Sequence, residues 1–290
     1  MQTLDVLSEE FDAHRGHLRA VAYRMLGSLS EAEDAVQEGW LRLSRTDPHD
    51  IDNLGGWLTT VVSRICLDQL RARRARREES LEERLPDPVV SDADDLEPEQ
   101  AALLADSVGL ALMVVLDELG PAERLAFVLH DLFGLAFAEI APIVERSPDA
   151  TKMLASRARR RVRDARAVPD PDITRQRAAV DAFQSAARDG DFEALLQVLD
   201  PDVVLRTARV DALAIVRGAA AVASGAVTFQ RLAMASRPVL VNGAAGIAVE
   251  ADGAVYSVAA FTVVDGRIVE IDIVTDPERL RALGIVARGQ

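Results

Sequence analysis

Apolar positions in the first 77 residues recur at three- and four-residue spacing, the period of a helix buried along one side. Leu18, Val21, Ala22, Met25 and Leu26 form one stripe, Val36, Trp40 and Leu43 a second, and Leu54, Leu58, Val61, Val62, Ile65 and Leu70 a third. Gly27 separates the first two, and Ser30 with Glu33 reads as a capping box that starts the second helix. The third opens near Asn53, so the segment predicts an all-helical bundle. A second helical block over 101–166 is broken at Gly120-Pro121, Gly134 and Ser147-Pro148, which fits four short helices. Beyond Pro169 and Pro171 the period changes. Helices are expected over 174–189, stopping at Gly190, and from Asp191 to Leu199. β-rich runs follow at 203–205, 238–241, 246–250, 255–264 and 268–274, separated by Asn242-Gly243, Asp252-Gly253 and Asp265-Gly266, dipeptides suited to tight hairpins. Helices followed by such strands predict an α+β domain with a curved antiparallel sheet.

At 290 residues the chain exceeds an ordinary single core, so several domains are expected. The longest apolar run, 254–264, is too short to span a bilayer. The opening MQTLDVLSEEF carries Asp5, Glu9 and Glu10 where a signal peptide needs positive charge, so a cytoplasmic protein is expected. The single cysteine, Cys66, and four scattered histidines leave no set of ligands for a structural metal, and no cofactor is expected. A net charge of −14 argues against a nucleic-acid partner until it is divided along the chain. Residues 81–120 hold one basic and eleven acidic residues, while dense basic clusters occupy 71–77 and 152–166. The acidic, proline-containing stretch reads as a linker between two helical domains.

The most specific local pattern is AFAEIAPIVERSPDATKMLASRARRRVR at 136–163. Phe137, Ile140 and Val144 line a first helix, Glu145-Arg146 make a turn, and Ser147 with Pro148 caps a second helix. Thr151, Leu154, Ala155, Ala158 and Val162 form the inner stripe of that helix. Lys152, Met153, Ser156, Arg157 and Arg160 then face outward, as in the recognition helix of a helix-turn-helix, with Arg161 and Arg163 placed for phosphates. A plain helical hairpin with a solvated basic face is the alternative. Upstream, Asp34, Gln37, Glu38 and Arg42 lie opposite the apolar stripe of AEDAVQEGWLRL. Trp57 joins Arg64, Arg71, Arg73 and Arg74 on the third helix, a combination of stacking surface and cations suited to a separated DNA strand.

These segments resemble an extracytoplasmic-function sigma factor of the class with a SnoaL-like domain fused after its second and fourth sigma regions. SEAEDAVQEGWLRL and WLTTVVSRICLDQLRAR carry the resemblance for the second region, LGPAERLAFVLHDLFGLAFAEIAPIVERSPDATKMLASRARRRV for the fourth, and VNGAAG, FTVVDGRIVEIDIV and TDPERLRAL for the extension. The resemblance implies two all-α sigma domains, over 1–80 and 106–168, joined by a linker over 81–105 and followed by an α+β SnoaL-like cone over 173–290. It implies core RNA polymerase as partner, with Asp34, Gln37 and Glu38 on the clamp helices of the largest subunit and the fourth region on the flap. It also implies promoter DNA, with Asn53, Trp57, Arg64, Arg71 and Arg74 at the minus-ten element and the recognition helix at the minus-thirty-five element. Arg64 stands where many relatives carry Asn. The extension is expected to regulate in cis through Leu85, Pro86, Asp276, Pro277, Glu278, Arg279 and Leu280, the last five an altered form of the family's Asn-Pro-Asp-Lys-Leu. The chain is not expected to be an enzyme. The competing reading is a helix-turn-helix regulator whose cone binds a small molecule or works as a cyclase or isomerase, with Asp202, Arg206, Glu250 or Asp272 as the polar group; no histidine lies in the extension to partner them.

Overall fold

The structure is a computed structural model and describes residues 2–47, 51–77, 85–91, 109–165, 169–209, 213–228, 236–251 and 253–285. Before residue 165 the described elements are α1 (Gln2–Leu26), α2 (Leu29–Leu43), α3 (Leu54–Arg77), a short strand β1 (Val90–Ser91), α4 (Leu110–Glu118), α5 (Pro121–Phe127), α6 (Phe137–Val144) and α7 (Pro148–Asp164). Among the described residues the chain forms two compact units. The first holds residues up to 77 together with 115–164; the second holds 85–91, 109–114 and those from 165 onward.

In the first unit the apolar stripes meet: Leu18, Met25, Leu26, Val36, Leu43, Leu58 and Val62 are all buried. The start of α2 differs from expectation. Ser28, not Ser30, caps it, its hydroxyl accepting the Glu31 N–H at 3.5 Å, so Ser30 falls inside the first turn. Glu33 instead reaches α1, pairing with Arg15 and, at 3.6 Å, with Arg19. Asn53 caps α3 by accepting the Gly56 N–H at 3.1 Å, which steadies a first turn weakened by two glycines. After α5 the helix loosens into a π-helical turn, Val128–Leu132. Glu145 then takes the left-handed conformation, φ 57°, to turn the chain from α6 into α7.

The second unit packs α8 (Ile173–Asp189), α9 (Phe192–Val198) and α10 (Ala219–Thr228) on one face of a seven-stranded sheet. Phe183 of α8 meets Phe261 edge-on at 5.5 Å, among Val180, Leu195, Val203, Val222 and Ile271. After β1 the strands are β2 (Leu199–Ala208), β3 (Leu213–Arg217), β4 (Ser236–Val241), β5 (Ala244–Ala251), β6 (Ala254–Val264) and β7 (Arg267–Val274), ordered β1-β4-β5-β6-β7-β2-β3. A short helix α11 (Pro277–Ala282) ends the described chain.

This corrects the expected cone with its curved antiparallel sheet. The sheet is open, with β1 and β3 at its two edges, and it is mixed, because β2 and β7 pair in parallel. The direction of the strands explains why. Three hairpin reversals link β4 to β7 and one links β2 to β3. A parallel β2/β7 pair therefore requires β3 and β4 to run the same way, joined by a crossover that contains α10. Neither β3 nor α10 was among the elements expected from sequence.

Gly246 is required where β4 and β5 approach. A Cβ there would lie 2.5 Å from Val241 Cγ2 and 2.8 Å from the Ala259 carbonyl oxygen.

Candidate nucleic-acid interface

Ser147 caps α7 as its sequence suggests, its hydroxyl accepting the Ala150 N–H at 3.2 Å. Thr151, Ala155, Ala158 and Val162 are buried, and Lys152, Met153, Ser156, Arg157 and Arg160 are all exposed. The inner stripe thus packs this helix on α5, and one outer face presents every residue expected to reach bases. On α2, Asp34 and Gln37 are exposed and Glu38 is half-buried, its carboxylate accepting from Arg42 Nε at 3.0 Å. On α3, Arg64, Arg71 and Arg74 are exposed and Trp57 is half-buried. Asn53 is exposed, although its amide oxygen is engaged in the cap of α3.

The same unit holds contacts that sequence reading did not anticipate. Arg124 of α5 is 1% exposed; its Nε donates to the Arg24 carbonyl at 3.1 Å and its Nη1 to Asp117 at 3.0 Å. Burial pulls its pKa below the usual arginine value, against the opposing charge of Asp117. Arg73 of α3 approaches the same carboxylate at 3.9 Å, donates to the Leu26 carbonyl at 3.0 Å and pairs with Glu31. Phe133 takes His17 edge-on at 5.2 Å and carries the Arg24 guanidinium 5.0 Å from its ring centroid. Arg64 donates to the Pro142 carbonyl at 3.4 Å. A cavity of about 260 Å³ lies along this junction, lined by Leu70, Arg73, Arg74, Asp117, Pro121 and Arg124 among others.

In the second unit, the segment Leu85–Ser91 is folded in as part of the sheet. β1 pairs antiparallel with β4, Val90 opposite Val241. Asn242 N–H donates to the Val89 carbonyl at 2.8 Å, and its amide oxygen accepts the Val89 N–H at 3.0 Å. Arg279, on α11, donates to Asp87 through Nε at 3.0 Å and Nη2 at 2.7 Å, and to the Leu85 carbonyl. Asp276 caps α11, accepting the N–H groups of Glu278 at 2.9 Å and Arg279 at 3.1 Å. Leu85, Pro86 and Leu280 are buried, and Pro277 and Glu278 are exposed. The structure thus brings Leu85 and Arg279 into direct contact, and adds two residues absent from the sequence candidates, Asp87 on Arg279 and Asn242 on Val89.

Of the polar groups weighed for catalysis, the fold brings Arg206 and Asp272 together and leaves Asp202 and Glu250 apart from them. Asp202 is exposed, and Glu250 pairs with Arg237. Arg206 meets Glu270 and Asp272, both at 3.2 Å, on the sheet face turned away from α8 and α9, since Ile271 between the two acids points into the helical core. Burial pushes the Asp272 carboxyl up to about 7, with Arg206 opposing and Glu270 adding to the rise. Burial also acts against the Arg206 cation, but the two carboxylates outweigh it and hold the guanidinium above its ordinary value. A separate cavity of about 520 Å³, between α8, α9 and the Gly266 turn, is lined largely by alanines.

Residues 11–76 match the family model for sigma-70 region 2, and residues 109–162 match that for sigma-70 region 4. A Mycobacterium tuberculosis protein described as a probable ECF RNA polymerase sigma factor, SigI, is 38% identical over 203 residues, 70% of each chain. The chain belongs to the ECF RNA polymerase sigma factors. ECF sigma factor SigJ of the same organism is 44% identical over 196 residues, 67% of this chain and 62% of SigJ. The crystal structure of SigJ superposes with a TM-score of 0.77 at 35% identity, covering 94% of this chain and 98% of that one, so the likeness extends through the second unit. As an ECF sigma factor the protein acts in promoter-specific transcription initiation with RNA polymerase, and α6 and α7 fall in its region 4. This membership sets aside the reading as an ordinary helix-turn-helix regulator. Among the described residues, no helix of this sigma factor is long and apolar enough to cross a membrane.

Proposed function

We propose that the second unit modulates initiation in cis, by holding the chain that connects regions 2 and 4. The observation that carries this is the capture of Leu85–Ser91 by β4, Asn242 and Arg279. Region 2 ends at 76 and region 4 begins at 109, a connection that would reach roughly 110 Å fully extended. Anchoring its middle divides that reach and limits how far the regions spread on a promoter. A protein that must first release this anchor binds more weakly in proportion to its competent fraction.

In this reading Asp34, Gln37 and Glu38 dock on the polymerase clamp helices, and α3 and α7 take the minus-ten and minus-thirty-five elements. On the same reading the second unit works by binding, with Glu250 paired to Arg237 and with Asp272 and Glu270 paired to Arg206. The test is run-off transcription with core polymerase on a promoter recovered from holoenzyme-bound genomic fragments. Asn242→Gly keeps the turn while removing the amide that grips Val89; combined with Arg279→Gln it should raise output. Output equal to that of the unaltered chain, with the second unit still folded, would remove cis control.

A further inference from the structure

The recognition helix carries arginines on both of its flanks, and each flank meets a carboxylate of its own domain. At 100° per residue, Arg159 and Arg161 sit on opposite sides of α7, while Met153, Ser156, Arg157 and Arg160 occupy the outermost face. Arg159 pairs with Asp131. On the other flank, Arg161 Nη1 lies 3.1 Å from Glu123 Oε2, and Arg157 Nη1 lies 3.6 Å from Glu123 Oε1. One carboxylate thus gives one oxygen to each of two arginines. The Glu123 side chain is only 13% exposed, whereas Arg157 and Arg161 are 61% and 55% exposed. Among the described residues, no carboxylate pairs with Lys152 or Arg160.

This distribution divides the basic face into cations that are free and cations that are already matched. Non-specific affinity for duplex DNA comes from cations meeting phosphates, each contact adding about 0.9 to the slope of log K against log salt. A carboxylate held between two arginines competes with phosphate for both. We propose that Glu123 is a specificity-determining residue that withholds Arg157 and Arg161 from indiscriminate phosphate contact. Base reading is then left to Lys152, Met153, Ser156 and Arg160. The device is repulsive as well as attractive, because any phosphate approaching this flank also meets the Glu123 charge. Specificity rises because sequence-independent binding is weakened while Lys152, Met153, Ser156 and Arg160 keep their access to bases. The proposal rests on reading α7 as the DNA-recognition helix, and its test separates the two.

The test uses the full chain and a fluorescent random-sequence duplex, with anisotropy titrations over a series of salt concentrations. Glu123→Gln preserves shape and removes the charge. It should bind between about twofold and thirtyfold more tightly at low salt, the range expected for freeing two exposed pairs. Its salt slope should steepen by about one to two. Adding Arg157→Ala and Arg161→Ala to Glu123→Gln should return both quantities to the unaltered values or below. An unchanged slope, or weaker binding by Glu123→Gln, overturns the gate. The pair Lys152→Ala and Arg160→Ala reports on the underlying reading: if it weakens binding while Glu123→Gln changes nothing, only the gate fails, and if it too changes nothing, the recognition helix has been misassigned.

Discussion

Arg124 and Arg279 are both buried arginines that fasten distant parts of the chain, the first reaching a carbonyl 100 residues away and the second a carboxylate 192 residues away. Their surroundings differ. Arg279 directs two nitrogens at Asp87 and one of them also at the Leu85 carbonyl. Arg124 has one carboxylate contact and one carbonyl contact, and among the described residues its Nη2 is buried with no hydrogen-bond partner. A buried cation left partly unmatched loses hydration without full compensation, whereas a matched one resists separation. The junction of regions 2 and 4 in the first unit is therefore the weaker fastening, and the grip on Leu85–Ser91 in the second is the stronger.

The largest expected effect tests that contrast directly. Arg279→Met removes the hydrogen bonds that tie α11 to Asp87 and the Leu85 carbonyl in a buried site, and should destabilise the second unit by about 3–5 kcal/mol. Arg124→Met leaves Asp117 with Arg73 nearby and should cost less than about 1.5 kcal/mol. Urea unfolding can separate the two, because both tryptophans, Trp40 and Trp57, lie in the first unit, while the strands that dominate the second are followed by far-ultraviolet circular dichroism. Equal losses from the two substitutions would break the comparison.

The next effect concerns the buried cluster of Arg206, Glu270 and Asp272. Asp272 has its carboxyl raised to about 7, above the ordinary 3.8 of an exposed aspartate. Between those values the folded chain keeps a proton that the unfolded chain has lost, so this group makes the second unit less stable as pH rises from about 4 to about 7. Asp272→Asn should flatten that part of the stability curve, as measured by urea midpoints across the range. A slope unchanged by the substitution would assign the pH dependence elsewhere.

A further effect is steric. Gly246→Ala places a methyl group against Val241 and the Ala259 carbonyl, and should cost about 1–3 kcal/mol by overpacking. Because Val241 is also the partner of Val90, hydrogen exchange at Val90 and Ser91 should rise with it if the grip on the linker depends on that strand pair. Exchange that stays slow would show that Arg279 and Asn242 hold the segment without β4.

Much of this was legible in local residue patterns. Ser147-Pro148 announced α7, the spacing of Thr151, Ala155, Ala158 and Val162 oriented it, and Asn242-Gly243 and Asp265-Gly266 marked real hairpins, with positive φ at both residues of each pair. What escaped was set by distant partners. Val90-Ser91 lies in an acidic, proline-containing stretch and becomes a strand only because β4 offers an edge. β3 lacks the polar alternation of a half-buried strand, and α10 is built from small residues with little helical periodicity, so the crossover that makes the sheet mixed was hidden. The turn at Glu145 was expected, but its left-handed backbone is more usual for glycine and gave no signal. Asn242 was fully accounted for by its hairpin, which concealed its grip on Val89. The carboxylates beside α7, Glu123 and Asp131, lie outside it in sequence, and only folding brings them to its flanks.

Cys66, the chain's single cysteine, lies fully buried in α3, and burial pushes its thiol up to about 12, although the Arg124 charge opposes the rise. Nucleophilic attack requires the thiolate, so oxidants and alkylating reagents find almost none of it while region 2 stays closed. The folded protein therefore offers no reactive thiol, and a cysteine placed on its surface could be labelled alone by a thiol-specific reagent. Modification of Cys66 itself would in turn time the opening of the helices around it.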